Sequence, residues 1–200
     1  MPNHITTEIT GPPDIIEHLT RARTEEETTA AYAYQNRLTA SFINASLGHL
    51  AESKTGEELG REIDFNLLIP QPENIEVGGC SGYHAPGVIC WYEWNSQHWG
   101  TKWNGYNLYI TRGAAGSVTI RFNTAWNHPE PIVKALSRAL PDDDLRIVYA
   151  SEDLGYGLGG YTARNGAATE NQEFTEGSDE ACEFAAQLIH HTTYAKWQQD

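Results

Sequence analysis

The chain opens on an alternation. Ile5, Thr7 and Ile9 fall on one side of residues 4 to 10, and His4, Thr6 and Glu8 on the other, the period of a half-buried strand. Gly11-Pro12-Pro13 ends it, and a proline suits the first turn of a helix whose apolar stripe is Ile15, Ile16 and Leu19. Helical spacing returns over about 26 to 50, with Leu38, Phe42, Leu47 and Leu50 as the buried face. Residues 51 to 61 read as a polar loop, and Phe65 to Ile69 as a short apolar run ended by Pro70 and Pro72. Gly78 to Gly87 is irregular, and Val88 to Trp99 reads as a helix with Ile89, Trp91 or Tyr92, and Trp94 inward. The clearest pair follows. Tyr106, Leu108 and Ile110 alternate with polar positions, as do Val118, Ile120 and Phe122, and glycines at 113 and 116 turn the chain into a β-hairpin. Ile132, Val133, Leu136 and Leu140 form the face of a helix that Pro141 stops. Leu145, Ile147 and Tyr149 make another strand, and glycine-rich 155 to 160 turns into one more. Residues 165 to 178 are polar. Ser178 then caps a helix with an acidic first turn and a stripe of Phe184, Ala185, Leu188 and Ile189.

Strand, helix, hairpin, helix, strand is the βαββαβ order of a ferredoxin-like fold. The expected architecture is α+β: an antiparallel sheet with helices on one face, a large insertion after the first helix at about 24–104, and an added C-terminal helix. Residues 1–164 form the ferredoxin-like domain, and 165–200 an acidic linker and C-terminal helix.

Charge changes the picture more than hydropathy. Asp and Glu number 27 against 13 Lys and Arg, for a net charge of −14. Phosphate backbones are bound by Lys and Arg that displace counterions, so direct nucleic-acid binding is disfavoured and a basic protein is the favoured partner. Residues 152 to 200 hold nine acids against Arg164 and Lys196, half the net charge in a quarter of the chain. No apolar run approaches the ~18 residues of a membrane span, and the first residues lack a signal-peptide pattern. Three cysteines at irregular spacing suggest free thiols and a cytoplasmic protein.

The most particular stretches are Trp99-Gly100-Thr101-Lys102-Trp103-Asn104 and Phe122-Asn123-Thr124-Ala125-Trp126. With Met1-Pro2-Asn3, Thr10-Gly11-Pro12, the run Asp64 to Glu73 (DFNLLIPQPE), Pro129, Pro131 and the glycine-rich Tyr149 to Gly160, they occur in an order that resembles the YubB-type family of phage and plasmid proteins. The resemblance spans about residues 1 to 161 and has no counterpart for the tail. It implies a ferredoxin-like fold and a mobile-element origin, and no established catalytic residue.

Chemistry is sparse. Lys102 flanked by Trp99 and Trp103, with Asn104 and Trp126, is a candidate ligand or partner site, and the competing reading plugs the tryptophans into the core. Cys80, His84, Cys90 and His98 are zinc-type ligands at a spacing that matches no finger, so neither metal nor other cofactor is expected. Gly155 to Gly160 precedes a strand rather than a helix and reads as a bulged turn, not a phosphate loop. His190-His191 and Asp142-Asp143-Asp144 read as cap and solvated loop. The first functional expectation is a non-enzymatic acidic protein that binds and modulates a host protein, such as a defence or nucleic-acid-handling factor. Glu170, Glu173, Glu176, Asp179 and Glu180 are its acidic partner surface. The alternative is a small-ligand or nucleotide-binding domain, enzymatic or not, built on the Trp99–Trp103 loop.

Overall fold

The computed structural model describes residues 3–44, 54–76 and 87–197. Strand β1 (His4–Gly11) leads into the short helix α1 (Ile15–Leu19). The insertion carries β2 (Thr20–Ala22), α2 (Glu25–Asn44), α3 (Gly56–Leu59), β3 (Arg61–Ile63), β4 (Ile75–Glu76), β5 (Ile89–Cys90) and α4 (Trp91–His98). The hairpin β6 (Tyr106–Arg112) and β7 (Val118–Ala125) follows, then α5 (Glu130–Ala139) and β8 (Leu145–Ser151). The chain ends with β9 (Gly159–Arg164), β10 (Ala167–Gln172), α6 (Asp179–His190) and α7 (Tyr194–Trp197).

The main sheet has six strands in the order β10-β9-β8-β1-β7-β6, and every neighbouring pair is antiparallel. Within it, β8-β1-β7-β6 is the ferredoxin-like arrangement that the element order predicts. β1 becomes central because its alternation can be buried between two partners. Ile9 sits opposite Ile120 on one side and Ile147 on the other, Ile120 opposite Ile110, and Ile147 opposite Tyr161. Residues directly opposite share a face, so one apolar row crosses five strands. Ile15, Ile16 and Leu19 of α1 and Ile132, Val133 and Leu136 of α5 close over this row in one core.

Two expectations change. Residues 167–172, read as part of an acidic linker, form β10 and extend the sheet by pairing with β9. The C-terminal helix α6 packs on the opposite face, where Ala185 and Leu188 meet Ala150. The helix stripe read from the sequence thus has a partner: Val148 and Ala150 point away from the main core on β8. Ser178 caps α6 as expected, its Oγ accepting from Ala181 N at 3.2 Å.

The insertion is more structured than its composition suggests. Within 51 to 61, read as a loop, Thr55 and Glu58 form a capping box that starts α3. Glu58 is buried, and its carboxylate also accepts from Ile110 N at 2.7 Å, which ties the insertion to the edge strand β6. The apolar run from Phe65 is a 3-10 turn with Phe65 fully buried. Helix α2 confirms helical spacing from Glu25 to Asn44, while the expected Leu38, Phe42, Leu47 and Leu50 face lies outside the described side chains. On α4 the expected Trp94 is partly buried against the core, and Asn95 beside it is buried, its amide donating to Lys102 O at 3.0 Å and its carbonyl accepting from Gln71. No helix among the described residues is long and apolar enough to cross a membrane. Cys90 is disulfide-bonded, which corrects the expectation of free thiols, whereas Cys182 is free and buried.

Candidate functional site

Loop 99–104 divides between core and surface. Trp99 is 2% exposed, makes edge contacts with Phe65 and Trp94, and donates its indole N–H to Ile69 O at 2.8 Å. Thr101 is buried and donates to Ala125 O at 2.8 Å. Asn104 Oδ1 accepts from Phe65 N at 3.1 Å and Gly105 N at 3.0 Å. Gly100, at φ 77, lies against Pro131 so closely that a Cβ would come within 2.9 Å of Pro131 Cδ. These four residues form a plug. They anchor the insertion to the sheet, with Trp99 and Thr101 buried. Lys102, Trp103 and Trp126 face outward, with the Lys102 ammonium over the rings of Trp126, Trp103 and Tyr92.

A cleft of about 460 Å³ opens beside strands β8 to β10. Its floor is His128, Tyr149 and Tyr161. His128 follows the end of β7 and stacks on Tyr149 with ring centroids 4.3 Å apart, while Tyr161 stands edge-on at 5.7 Å. Both imidazole nitrogens are engaged: Nδ1 lies 3.1 Å from Thr7 Oγ1 and Nε2 lies 2.7 Å from Tyr161 OH. A neutral imidazole has one donor and one acceptor. The more acidic phenol O–H donates to Nε2, so Nδ1–H donates to Thr7. Burial pushes His128 down to about 3, so the ring carries no charge near neutral pH.

The rim is acidic. Glu130, Glu173 and Glu176 line the cleft with Asn171 and Gln172, and no lysine or arginine does. Lys134 reaches Glu130 from the next turn of α5 at 2.7 Å without entering the lining. Both floor tyrosines feel this field: burial first, then the Glu130 carboxylate, raises Tyr149 and Tyr161 above their ordinary values. Phe174 packs on Phe184 of α6 with centroids 4.6 Å apart, fixing the segment that carries Glu173 and Glu176. Gly159 keeps the floor open to Tyr149, since a Cβ there would meet Tyr149 OH at 2.8 Å.

The expected acidic surface is therefore divided. Glu173 and Glu176 join the cleft, Asp179 and Glu180 are exposed in the first turn of α6, and the Glu170 side chain lies outside the described set. Of the zinc-type ligands, Cys80 and His84 lie outside the described residues. Cys90 is in a disulfide, so it has no free thiolate to offer a metal. His98 stacks on Trp94 at 4.3 Å and bonds Trp94 O at 2.9 Å. Among the described residues no three His, Cys, Asp or Glu side chains are grouped to hold a metal ion. The glycine-rich segment turns at Gly155 and Gly157, both at positive φ, and runs into β9. His191 is the left-handed cap of α6, and Asp144 faces Arg164 at 3.3 Å. The aromatic floor was missed from sequence, although one signal was present. Thr7 is a polar residue in the inward set of β1, and such a position needs a buried polar partner.

Residues 105–192 match the family described as the ferredoxin-like domain in Api92-like protein. The matched stretch runs from the hairpin through α6, so it includes residues 162–192, which the motif resemblance leaves uncovered. Across the fold, the chain is similar to the crystal structure of protein api92 from Yersinia pseudotuberculosis. The TM-score is 0.55 at 13% identity, covering 89% of this chain and 100% of that one. At that identity the likeness shows the fold alone. No curated protein matches.

Proposed function

We propose that this chain is a non-enzymatic acidic protein that binds a basic segment of a host protein and thereby modulates it, with the cleft beside β8 to β10 as the contact. One observation carries the reading: three carboxylates ring a floor of two tyrosines and a neutral histidine, with no cationic side chain in the lining. Tyrosine faces and carboxylates are complementary to guanidinium and ammonium groups. The charge of −14 acts in the same direction, since a field of that sign speeds encounter with basic surfaces. The motif resemblance to phage and plasmid proteins supplies the context. Within a host cytoplasm, basic surfaces belong largely to factors that handle phosphate backbones, because such binding requires Lys and Arg. A defence or nucleic-acid-handling factor is the matching class of partner.

The floor argues against a nucleophile–base reading. The His128 nitrogens are both occupied by Thr7 and Tyr161, and its lowered basicity makes it a poor proton acceptor near neutral pH. The test is affinity capture from host-cell lysate by the natural chain and by the Glu173→Lys/Glu176→Lys variant, with captured proteins identified by mass spectrometry. A basic protein at near-stoichiometric yield, lost with the variant, supports the proposal. Equal capture by both chains, or none by either, overturns it.

A further inference from the structure

The outward half of loop 99–104 sets a lysine among three aromatic rings. Lys102 Nζ lies 4.7 Å from the Trp126 ring centroid, 4.9 Å from Trp103 and 5.8 Å from Tyr92, all within reach of cation–π attraction. The rings are set for this. Tyr92 meets Trp126 edge-on, with centroids 5.8 Å apart and planes at 84°. Among the described residues no carboxylate forms an ion pair with the Lys102 ammonium, so the rings are its partners.

Trp126 sits there at a cost. Its φ is 73, a left-handed conformation that bulky residues rarely adopt, and it remains 40% exposed. Bonds on either side hold the turn: Trp126 N donates to Asn3 O at 2.8 Å, and Thr124 Oγ1 donates to Asn127 O at 2.8 Å. A large apolar ring held in this turn keeps 40% of its surface in water. It does complete a three-ring site for a cation.

We infer that Tyr92, Trp103 and Trp126 form a cation-binding aromatic site whose resident is Lys102 of the same chain, and that an arginine or lysine side chain of a basic protein segment displaces it. The basic partner rests on the reading proposed above, while the site itself does not. Lys102 competes from a high effective concentration because it is tethered beside the rings, and its departure returns its charge to water. The overall charge of −14 selects a cationic visitor over a neutral one.

The experiment uses arginine amide as probe, against sodium chloride at matched ionic strength. It follows the indole N–H signals of Trp103 and Trp126 by NMR, with the buried Trp99 indole as the fold control. In Lys102→Met the probe should give saturable shifts at both outward indoles with an apparent affinity about fivefold tighter than in the natural chain. Adding Trp126→Ala should abolish them. A folded Lys102→Met that shows no saturable shift, or shifts that survive Trp126→Ala, overturns the inference. Should Lys102→Met lose the Trp99 signal, Lys102→Gln takes its place and the same two outcomes decide. The Glu173→Lys/Glu176→Lys variant should leave this titration unchanged, so failure of the acidic cleft and failure of the aromatic site are read separately.

Discussion

Trp99 and Trp126 stand in equally particular motifs and meet opposite fates. Trp99 is 2% exposed, wedged between Phe65 and Trp94 with its N–H satisfied. Trp126 is 40% exposed on a strained turn, with a cation beside it. Residue type cannot separate them, and the difference comes from their neighbours. Trp99 lies at the end of α4 where the insertion must close over the sheet, and Gly100 lets the chain pass against Pro131. Trp126 lies where β7 has ended, and only Tyr92 of α4 and the Lys102 side chain lean on its ring. The same indole is thus a structural plug in one place and an exposed ring beside a cation in the other.

The comparison breaks most sharply under truncation. Trp99→Ala should destabilise the fold by about 3–5 kcal/mol, the usual cost of emptying a tryptophan site in a core. Urea unfolding should show it as a fall in midpoint at unchanged slope. Trp126→Ala should cost markedly less, about 1 kcal/mol, since the ring is 40% exposed and the left-handed turn is kept. Equal losses at the two positions would contradict the division between plug and surface.

Acid sharpens the contrast between floor and rim of the cleft. His128 has its folded value pushed from 6.5 to about 3 by burial, so the unfolded chain binds a proton that the folded chain does not. The stability tied to its neutral form is complete above pH 6.5 and is lost as pH falls from there toward 3, a total of a few kcal/mol. His128→Gln should flatten that slope, as measured by urea midpoints across the range. The rim behaves differently. Glu173→Lys/Glu176→Lys should move stability by no more than about 0.5 kcal/mol, because both residues are exposed, while removing affinity for basic peptides. The smallest effect belongs to surface pairs remote from the cleft. Arg112→Ala, which breaks a 2.7 Å contact to Glu57 between two exposed side chains, should cost no more than about 0.5 kcal/mol and leave binding untouched.

The ferredoxin-like core was legible because it is written in local periodicity. Ile5, Thr7 and Ile9 on β1, the hairpin alternation and the stripe on α5 each name their own buried face, and the short turn between β6 and β7 makes that pair antiparallel. Strand β10 was not legible. Ala167 to Gln172 has no apolar alternation, and it is a strand because β9 leaves an open edge beside it. The capping box at Thr55 and Glu58 was readable in principle, yet glycines at 56 and 60 made the stretch look like a loop. The candidate sites divide in the same way. Lys102, Trp103 and Trp126 were visible in their local motifs, whereas Tyr92, which meets Trp126 edge-on, comes from α4. The cleft joins His128, Tyr149, Tyr161 and Glu173 from four segments, and only the sheet register assembles them. No spacing rule reaches across such distances.

The central claim is that the acidic cleft recognises basic segments. Isothermal titration of an arginine-rich peptide into the natural chain and into Glu173→Lys/Glu176→Lys tests it most directly, at two salt concentrations. The account predicts saturable binding by the natural chain that weakens as salt rises and falls at least tenfold in the variant. Binding of equal strength in both chains, or no binding by the natural chain at low salt, would contradict it.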